Sequence, residues 1–206
     1  MRRANAQLQS DRRAEILEAA ERCFARSGFH QASIQEICTE AGMSPGNLYR
    51  YFPSKEAIIA GIAERNRAQA AEDFAAVTKS DDFFSGFADL ARHYLVERTK
   101  DEVALCAEIM TESRRNPEIA RIYQAIEEDV KAGLVAVLRN AAARGEIAPD
   151  LDFERIVIVL LAIGDGVEWR RAVDPSFDAE TVLPLILQMV KSLLTPASSA
   201  MPGEMP

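Results

Sequence analysis

Apolar residues recur every three or four positions along nearly the whole chain, and no stretch alternates apolar and polar residues convincingly, as a half-buried strand does. Glycine and proline, at 10 and 9 of 206 residues, are also too scarce for a loop-rich β-sandwich. A chain of this length can bury a large core without metal or disulfide support. The sequence therefore predicts an all-α protein with about nine helices.

Residues that favour helix ends divide this pattern into segments. Ser33 with Glu36 has the form of a capping box, and Ser44 and Asn116 each precede a proline at the first helical position. Glycines 28 and 145 follow periodic stretches, where they are expected to end a helix. These signals predict, among others, a first helix over residues 11–26, a buried helix that is apolar almost all round over 103–110, and a long helix over 117–144.

Residues 33–52 form the pattern of a short helix, a turn containing Gly42 and a second short helix. This is the layout of a helix-turn-helix, whose second helix lies in the major groove of DNA. Amide and guanidinium groups can pair with base edges, whereas hydroxyl groups, ammonium groups and free N–H groups at helix starts can hold phosphates. The predicted base-reading residues are Pro45, Gly46, Asn47, Tyr49 and Arg50, and the predicted phosphate contacts are Ser33, Ser44, Tyr51 and Lys55.

Longer strings of residues surround this motif between Arg12 and Ile59. They are Ile16-Leu17-Glu18-Ala19-Ala20, Gly28-Phe29, Ala32-Ser33-Ile34, Ala41-Gly42-Met43-Ser44, Leu48-Tyr49, Tyr51-Phe52 and Ser54-Lys55-Glu56. Together they resemble the TetR/AcrR family of bacterial transcription regulators. Further along, Ala143-Arg144-Gly145-Glu146-Ile147 and Gly164-Asp165-Gly166 look like the betaine-responsive repressor subset of that family.

The resemblance implies a homodimer that binds an operator in double-stranded DNA and leaves it when a small-molecule effector binds. Residues 1–55 would form a basic arm and a three-helix DNA-binding domain, and residues 56–195 would bind the effector and dimerise. The last two helices would form the dimer interface, since residues 156–163 and 183–194 are more apolar than a monomer needs. Residues 196–206 are predicted to be a disordered tail.

An effector would be expected between helices, in an apolar pocket with a few polar groups. The candidate lining residues are Phe87, Tyr94, Glu108, Met110, Tyr123 and Trp169. The alternative for the aromatic residues is an ordinary place in the core. Glu108 could instead face solvent or pair with Arg92 or Arg121, because an unpaired buried carboxylate is costly.

The charge of the chain leaves a second function open. The net charge is -8, but residues 1–55 carry +2 and the remainder carries -10. An acidic total charge favours the alternative of a helical small-molecule-binding or scaffold protein, whose N-terminal module contacts a protein partner instead of DNA.

Other classes of protein receive little support. Three cysteines are too few for a disulfide framework or zinc site, and His30 and His93 have no carboxylate at ligand spacing. Neither a nucleophile elbow nor a phosphate-binding glycine motif occurs, so we expect no enzyme and no cofactor. No apolar stretch approaches the ~20 residues of a membrane span, and we expect a cytoplasmic protein that contacts no membrane.

Overall fold

The computed structural model describes residues 2–195 and, for residues 2–6, the backbone alone. The helices in this range are α1 (Arg2–Gln31), α2 (Ile34–Glu40), α3 (Pro45–Leu48), α4 (Lys55–Lys79), α5 (Phe83–Arg92), α6 (Lys100–Ser113), α7 (Pro117–Ala143), α8 (Phe153–Val173) and α9 (Ala179–Leu194). A π-helical turn, His93–Glu97, continues α5. The range contains no strand, which confirms the all-α prediction. The predicted tail lies outside the described residues.

Two helices differ from the predictions, one in where it begins and the other in how deeply it is buried. The apolar pattern placed the start of the first helix at residue 11, but α1 begins at Arg2, since arginine, alanine and glutamine favour helix without needing a core. Gly28, at φ +74°, interrupts α1 near its end. The prediction that residues 103–110 are buried all round is wrong: of these residues only Val103 and Leu105 are buried. Helix α6 packs on α1, α7 and α8 and leaves its other side partly open.

The predicted capping signals mostly act as expected. The Ser33 hydroxyl accepts the Glu36 amide at 3.1 Å, and the Glu36 carboxylate accepts the Ser33 amide at 2.7 Å. Asn116 Oδ1 accepts amides of the first turn of α7. Ser44 precedes Pro45 but forms no side-chain cap. Local sequence therefore sets most of these helix starts.

Two hydrophobic clusters hold the helices together. The first lies among α1, α2, α3 and the start of α4, and it is completed from the rest of the chain by Leu105 of α6 and Ile119 of α7. The second joins α4, α5, α7, α8 and α9 through side chains that include Val77, Phe83, Leu138, Val157 and Leu194. Because α4 enters both clusters and α1 packs on α6, the N-terminal helices are joined directly to the C-terminal helices.

Candidate nucleic-acid interface

The turn between α2 and α3 gives the second helix its direction. Gly42 has φ +64°, a conformation that only glycine adopts without strain, although a Cβ at this position would meet nothing within 4 Å. The Met43 amide then donates to the Cys38 carbonyl at 2.9 Å, which ties the turn to α2. The glycine is therefore needed for the backbone angle and not for space.

Helix α3 buries one residue and turns the others outward. Leu48 is fully buried in the first cluster, whereas Tyr49 is 51% exposed. Of the other predicted base-reading residues, Gly46 and Arg50 are exposed and Pro45 and Asn47 are partly exposed. Within the described range, the side chains of Asn47, Tyr49 and Arg50 have no hydrogen-bond or ion-pair partner. The structure thus brings the five predicted base-reading residues together on one open surface.

Arg50 stands apart from the other basic side chains of this region. Arg22 and Arg26 pair with Glu40 and Arg12 pairs with Glu15. Among the basic side chains described between residues 7 and 55, Arg50 alone lacks an acidic, carbonyl or aromatic partner. Most basic side chains of the N-terminal segment are therefore paired within the protein, and Arg50 remains available to DNA.

Arg13 has a role that sequence reasoning missed. Its guanidinium donates to the Tyr51 carbonyl at 3.3 Å and lies 4.4 Å from the centre of the Phe52 ring. These contacts fasten the residues that follow α3 to α1. The sequence offered no signal for this pairing, because the two segments lie 38 residues apart.

Two predicted phosphate contacts, Lys55 and Ser33, form hydrogen bonds within the protein. The Lys55 ammonium donates to the carbonyls of Phe29 at 2.6 Å, His30 at 3.4 Å and Ala32 at 3.0 Å, so its three hydrogens are already engaged. Both the amide and the hydroxyl of Ser33 donate to the Glu36 carboxylate. These hydrogen bonds lower the pKa of Glu36 and place a negative charge at the start of α2. Neither Lys55 nor Ser33 keeps a free donor for a phosphate.

The other two phosphate candidates remain accessible. Ser44 is exposed, and Tyr51 is partly exposed beside α3. In the part of the chain that the structure describes, neither hydroxyl has a hydrogen-bond partner.

The six predicted pocket residues do not together line either of two cavities in the described structure. A cavity of about 620 Å³ lies between α4 and α7, against side chains such as Phe74, Ala71 and Val130, and none of the six reaches it. A void of about 10 Å³ beside Phe24 and Leu105 includes only Glu108 among them. The prediction of one shared pocket is therefore not supported by these two cavities.

The predicted pocket residues lie in different environments. Phe87 is buried in the second cluster, Met110 is partly buried, and Trp169 is 49% exposed on α8. Burial and a 2.8 Å hydrogen bond to Asp73 raise the pKa of Tyr94. Burial raises the pKa of Tyr123 to about 12. The Trp169 ring lies at the surface of α8 and borders neither of the two cavities.

Glu108 has neither of the partners that the sequence suggested. Its Oε2 accepts the backbone amide of Phe29 at 3.2 Å. Arg92 pairs instead with Glu180 at 2.6 Å, and Arg121 donates to the Pro117 carbonyl. Glu108 therefore satisfies a backbone group of α1.

A polar cluster that the sequence did not reveal lies among the π-helical turn, α6, α7 and α8. Glu168 pairs with Arg98 and accepts the Cys106 thiol at 3.0 Å. Burial, together with Glu168 and Glu127, raises the pKa of Asp165. Arg171 donates to the carbonyls of Val96 and Arg98, and its buried Nη1 has no partner among the described residues. The acidic residues within the apolar sequence of α8 were the feature of the sequence that could have indicated this cluster.

None of the helices in residues 2–195 is long and apolar enough to span a membrane. The described range also contains no group of three or more histidine, cysteine, aspartate or glutamate residues that could hold a metal ion.

Comparison with known proteins agrees with this geometry. Residues 16–62 match the family model for bacterial regulatory proteins of the tetR family. Residues 89–195 match the model for the C-terminal part of the BetI-type transcriptional repressors, which confirms the resemblance at residues 143–147 and 164–166.

Individual relatives cover most of the chain. The HTH-type transcriptional regulator UidR of Escherichia coli K12 is 33% identical over 159 residues, 75% of this chain and 79% of UidR. The HTH-type transcriptional repressor AcnR of Corynebacterium diphtheriae is 27% identical over 185 residues, 89% of this chain and 93% of AcnR. The structure of Salmonella enterica GusR superposes with a TM-score of 0.77 at 33% identity and covers 89% of this chain and 95% of GusR. The chain belongs to the TetR family of helix-turn-helix regulators, and it is a DNA-binding transcriptional regulator and not an enzyme.

Proposed function

We propose that this protein is a homodimeric repressor that places α3 of each subunit in the major groove of an operator and is released by a small-molecule effector. The observation that carries the proposal is the open surface of α3. Asn47, Tyr49 and Arg50 lie there without partners in the described structure, above the buried Leu48. Polar side chains that the fold does not use are available to bases.

The chemistry of these residues suits base recognition. Asn47 can pair with the N6 and N7 edge of adenine, and Arg50 with the O6 and N7 edge of guanine. Pro45 and Gly46 are small, which lets the start of α3 approach the DNA closely. The hydroxyls of Ser44 and Tyr51 can hold flanking phosphates, which sets the register of the protein on DNA and not its sequence preference.

An apolar surface on α8 and α9 supports dimerisation through these helices. It consists of side chains that are about half exposed: Ile158, Val159, Trp169, Val173, Leu185, Met189 and Leu193. So much exposed apolar surface on two consecutive helices is unusual for a monomer and typical of a permanent interface. A dimer would present its two α3 helices about 34–36 Å apart, the spacing of successive major grooves.

The polar cluster among α6, α7, α8 and the π-helical turn is the region we propose for the effector. Asp165, whose pKa is raised, and the Tyr123 hydroxyl have no hydrogen-bond partner in the described range. A ligand with hydrogen-bond donors would satisfy them. It could shift the dimer away from DNA only by as much as its affinity differs between the two conformations. Such a regulator would act in the bacterial cytoplasm, where the chromosome lies.

Fluorescence anisotropy with a random duplex and with duplexes selected by the protein tests this function. We expect log K to fall steeply with log salt concentration, because phosphate contacts release counterions. Asn47→Ala combined with Tyr49→Ala should reduce the preference for the selected duplex over the random one by about tenfold or more.

Exposed Glu72 on α4 offers a control, and Glu72→Ala should leave that preference unchanged. Salt-independent binding, or unchanged selectivity in the double variant, would refute the assignment. Salt-independent behaviour would support the alternative of a helical scaffold protein.

A further inference from the structure

The end of α1 is held by a carboxylate from α6. Gly28 turns the chain out of helical conformation, and the Phe29 amide that follows donates to Glu108 Oε2 at 3.2 Å. A Cβ on residue 28 would lie 3.0 Å from the same oxygen. Glycine is therefore required for the backbone angle, and a side chain at this position would also crowd the Glu108 carboxylate.

A second carboxylate holds the same segment one turn further along α6. Glu112 is the buried charged residue of the described chain, at 2% exposure. Its Oε2 lies 2.8 Å from His30 Nε2 and 3.3 Å from Arg115 Nη2. A buried carboxylate is costly without such partners, so Glu112 resists separation from His30.

Lys55 also holds this segment, by donating to the carbonyls of Phe29, His30 and Ala32. Residues 28–32 are called here the α1 junction. Ala32 is 1% exposed and directly precedes Ser33, the N-cap of α2. Because no residue separates the α1 junction from the N-cap of α2, the position of the junction sets where α2 and α3 lie.

Helix α6 also contacts the proposed effector region. Cys106 donates to Glu168 of α8, and Glu108 lies two residues further along α6. Residues two apart on a helix point in nearly opposite directions. One side of α6 therefore faces the polar cluster while another faces the α1 junction.

We propose that Glu108 and Glu112 are positioning residues that hold α2 and α3 in the orientation that fits the operator. The inference rests on the proposed function and adds the residues that link α6 to the DNA-binding helices.

The test compares full-length variants on a duplex selected by the wild-type protein. Glu108→Ala should weaken binding about tenfold, within the usual range of coupling between sites. The slope of affinity against salt should stay unchanged, because the phosphate contacts are untouched. Glu108→Gln, whose amide oxygen still accepts the Phe29 N–H, should restore most of the affinity. Asp101→Ala, an exposed carboxylate at the other end of α6, is the matched control and should bind like wild type.

Hydrogen exchange separates this role from general stabilisation. In Glu108→Ala, amides of residues 29–36 should exchange faster, while those of α7 keep their wild-type protection. If Glu108→Ala does not fold, Glu112→Gln carries the same expectations. It keeps the size of the side chain and removes the charge that faces His30.

Three results would overturn the inference: wild-type affinity in Glu108→Ala, tighter binding in that variant, or a loss that Glu108→Gln does not restore. A wild-type protein that selects no duplex would refute the proposed function instead. The two failures are thus distinguishable.

Discussion

Replacement of Lys55 by methionine separates a structural role from a DNA contact. The variant keeps an apolar side chain of similar length and removes the ammonium. The carbonyls of Phe29 and Ala32, at 2.6 and 3.0 Å, then lose a charged donor, whereas the contact with His30 at 3.4 Å is weak. Ala32 is almost fully buried, so water replaces the donor poorly.

The magnitude follows from the two short hydrogen bonds. Each hydrogen bond to a charged group contributes about 1.5–3 kcal/mol, but one ammonium shares its charge between them and Lys55 is partly exposed. We expect the free energy of unfolding to fall by about 3 kcal/mol. For a chain of this size that corresponds to a decrease in Tm of roughly 6–12 °C.

Urea denaturation and thermal unfolding at one fixed protein concentration measure this loss, since the stability of a dimer depends on concentration. Lys79→Met, at the exposed C-terminal end of the same helix, is the control and should change the free energy of unfolding by no more than about 0.5 kcal/mol.

DNA binding supplies the second readout. If Lys55 is structural, the folded variant keeps the wild-type slope of log K against log salt concentration. If Lys55 contacts a phosphate, that slope falls by about 1 and stability is unchanged. The second pattern would refute the structural assignment.

Two other predictions follow from the surfaces and charges described above. Leu185→Glu with Met189→Glu should convert the dimer to a monomer in analytical ultracentrifugation, because two charges would be placed in an apolar interface. The control Glu180→Ala, at an exposed position, should stay dimeric. A dimeric Leu185/Met189 variant would exclude α9 from the interface. The pKa of Glu36 is lowered by hydrogen bonds from Ser33, so this carboxylate stabilises the fold above its ordinary pKa and loses that effect as pH falls through its lower folded value. Glu36→Gln should therefore lose less stability than wild type between about pH 5 and pH 3 in acid denaturation monitored by circular dichroism; an identical acid profile would contradict the assigned hydrogen bonds.

The exposure of the predicted base-reading residues depends on local structure. Exposure of Asn47, Tyr49 and Arg50 follows from a short helix that has only one apolar position, Leu48, to bury. The phosphate predictions at Ser33 and Lys55 considered only what each side chain is able to bind. In the structure their donors are hydrogen-bonded to carboxylate and carbonyl groups of the protein itself.

Periodicity and capping in the sequence by themselves determined the helical class, most helix starts and the helix-turn-helix. These features depend on residues three or four apart, whose contacts are the same in any helix. Tertiary structure alone decided that Glu108 meets Phe29, 79 residues away, that Arg13 meets Tyr51, and that Trp169 faces outward. Which face of one helix packs on another depends on the whole set of helices, and no local pattern records that choice.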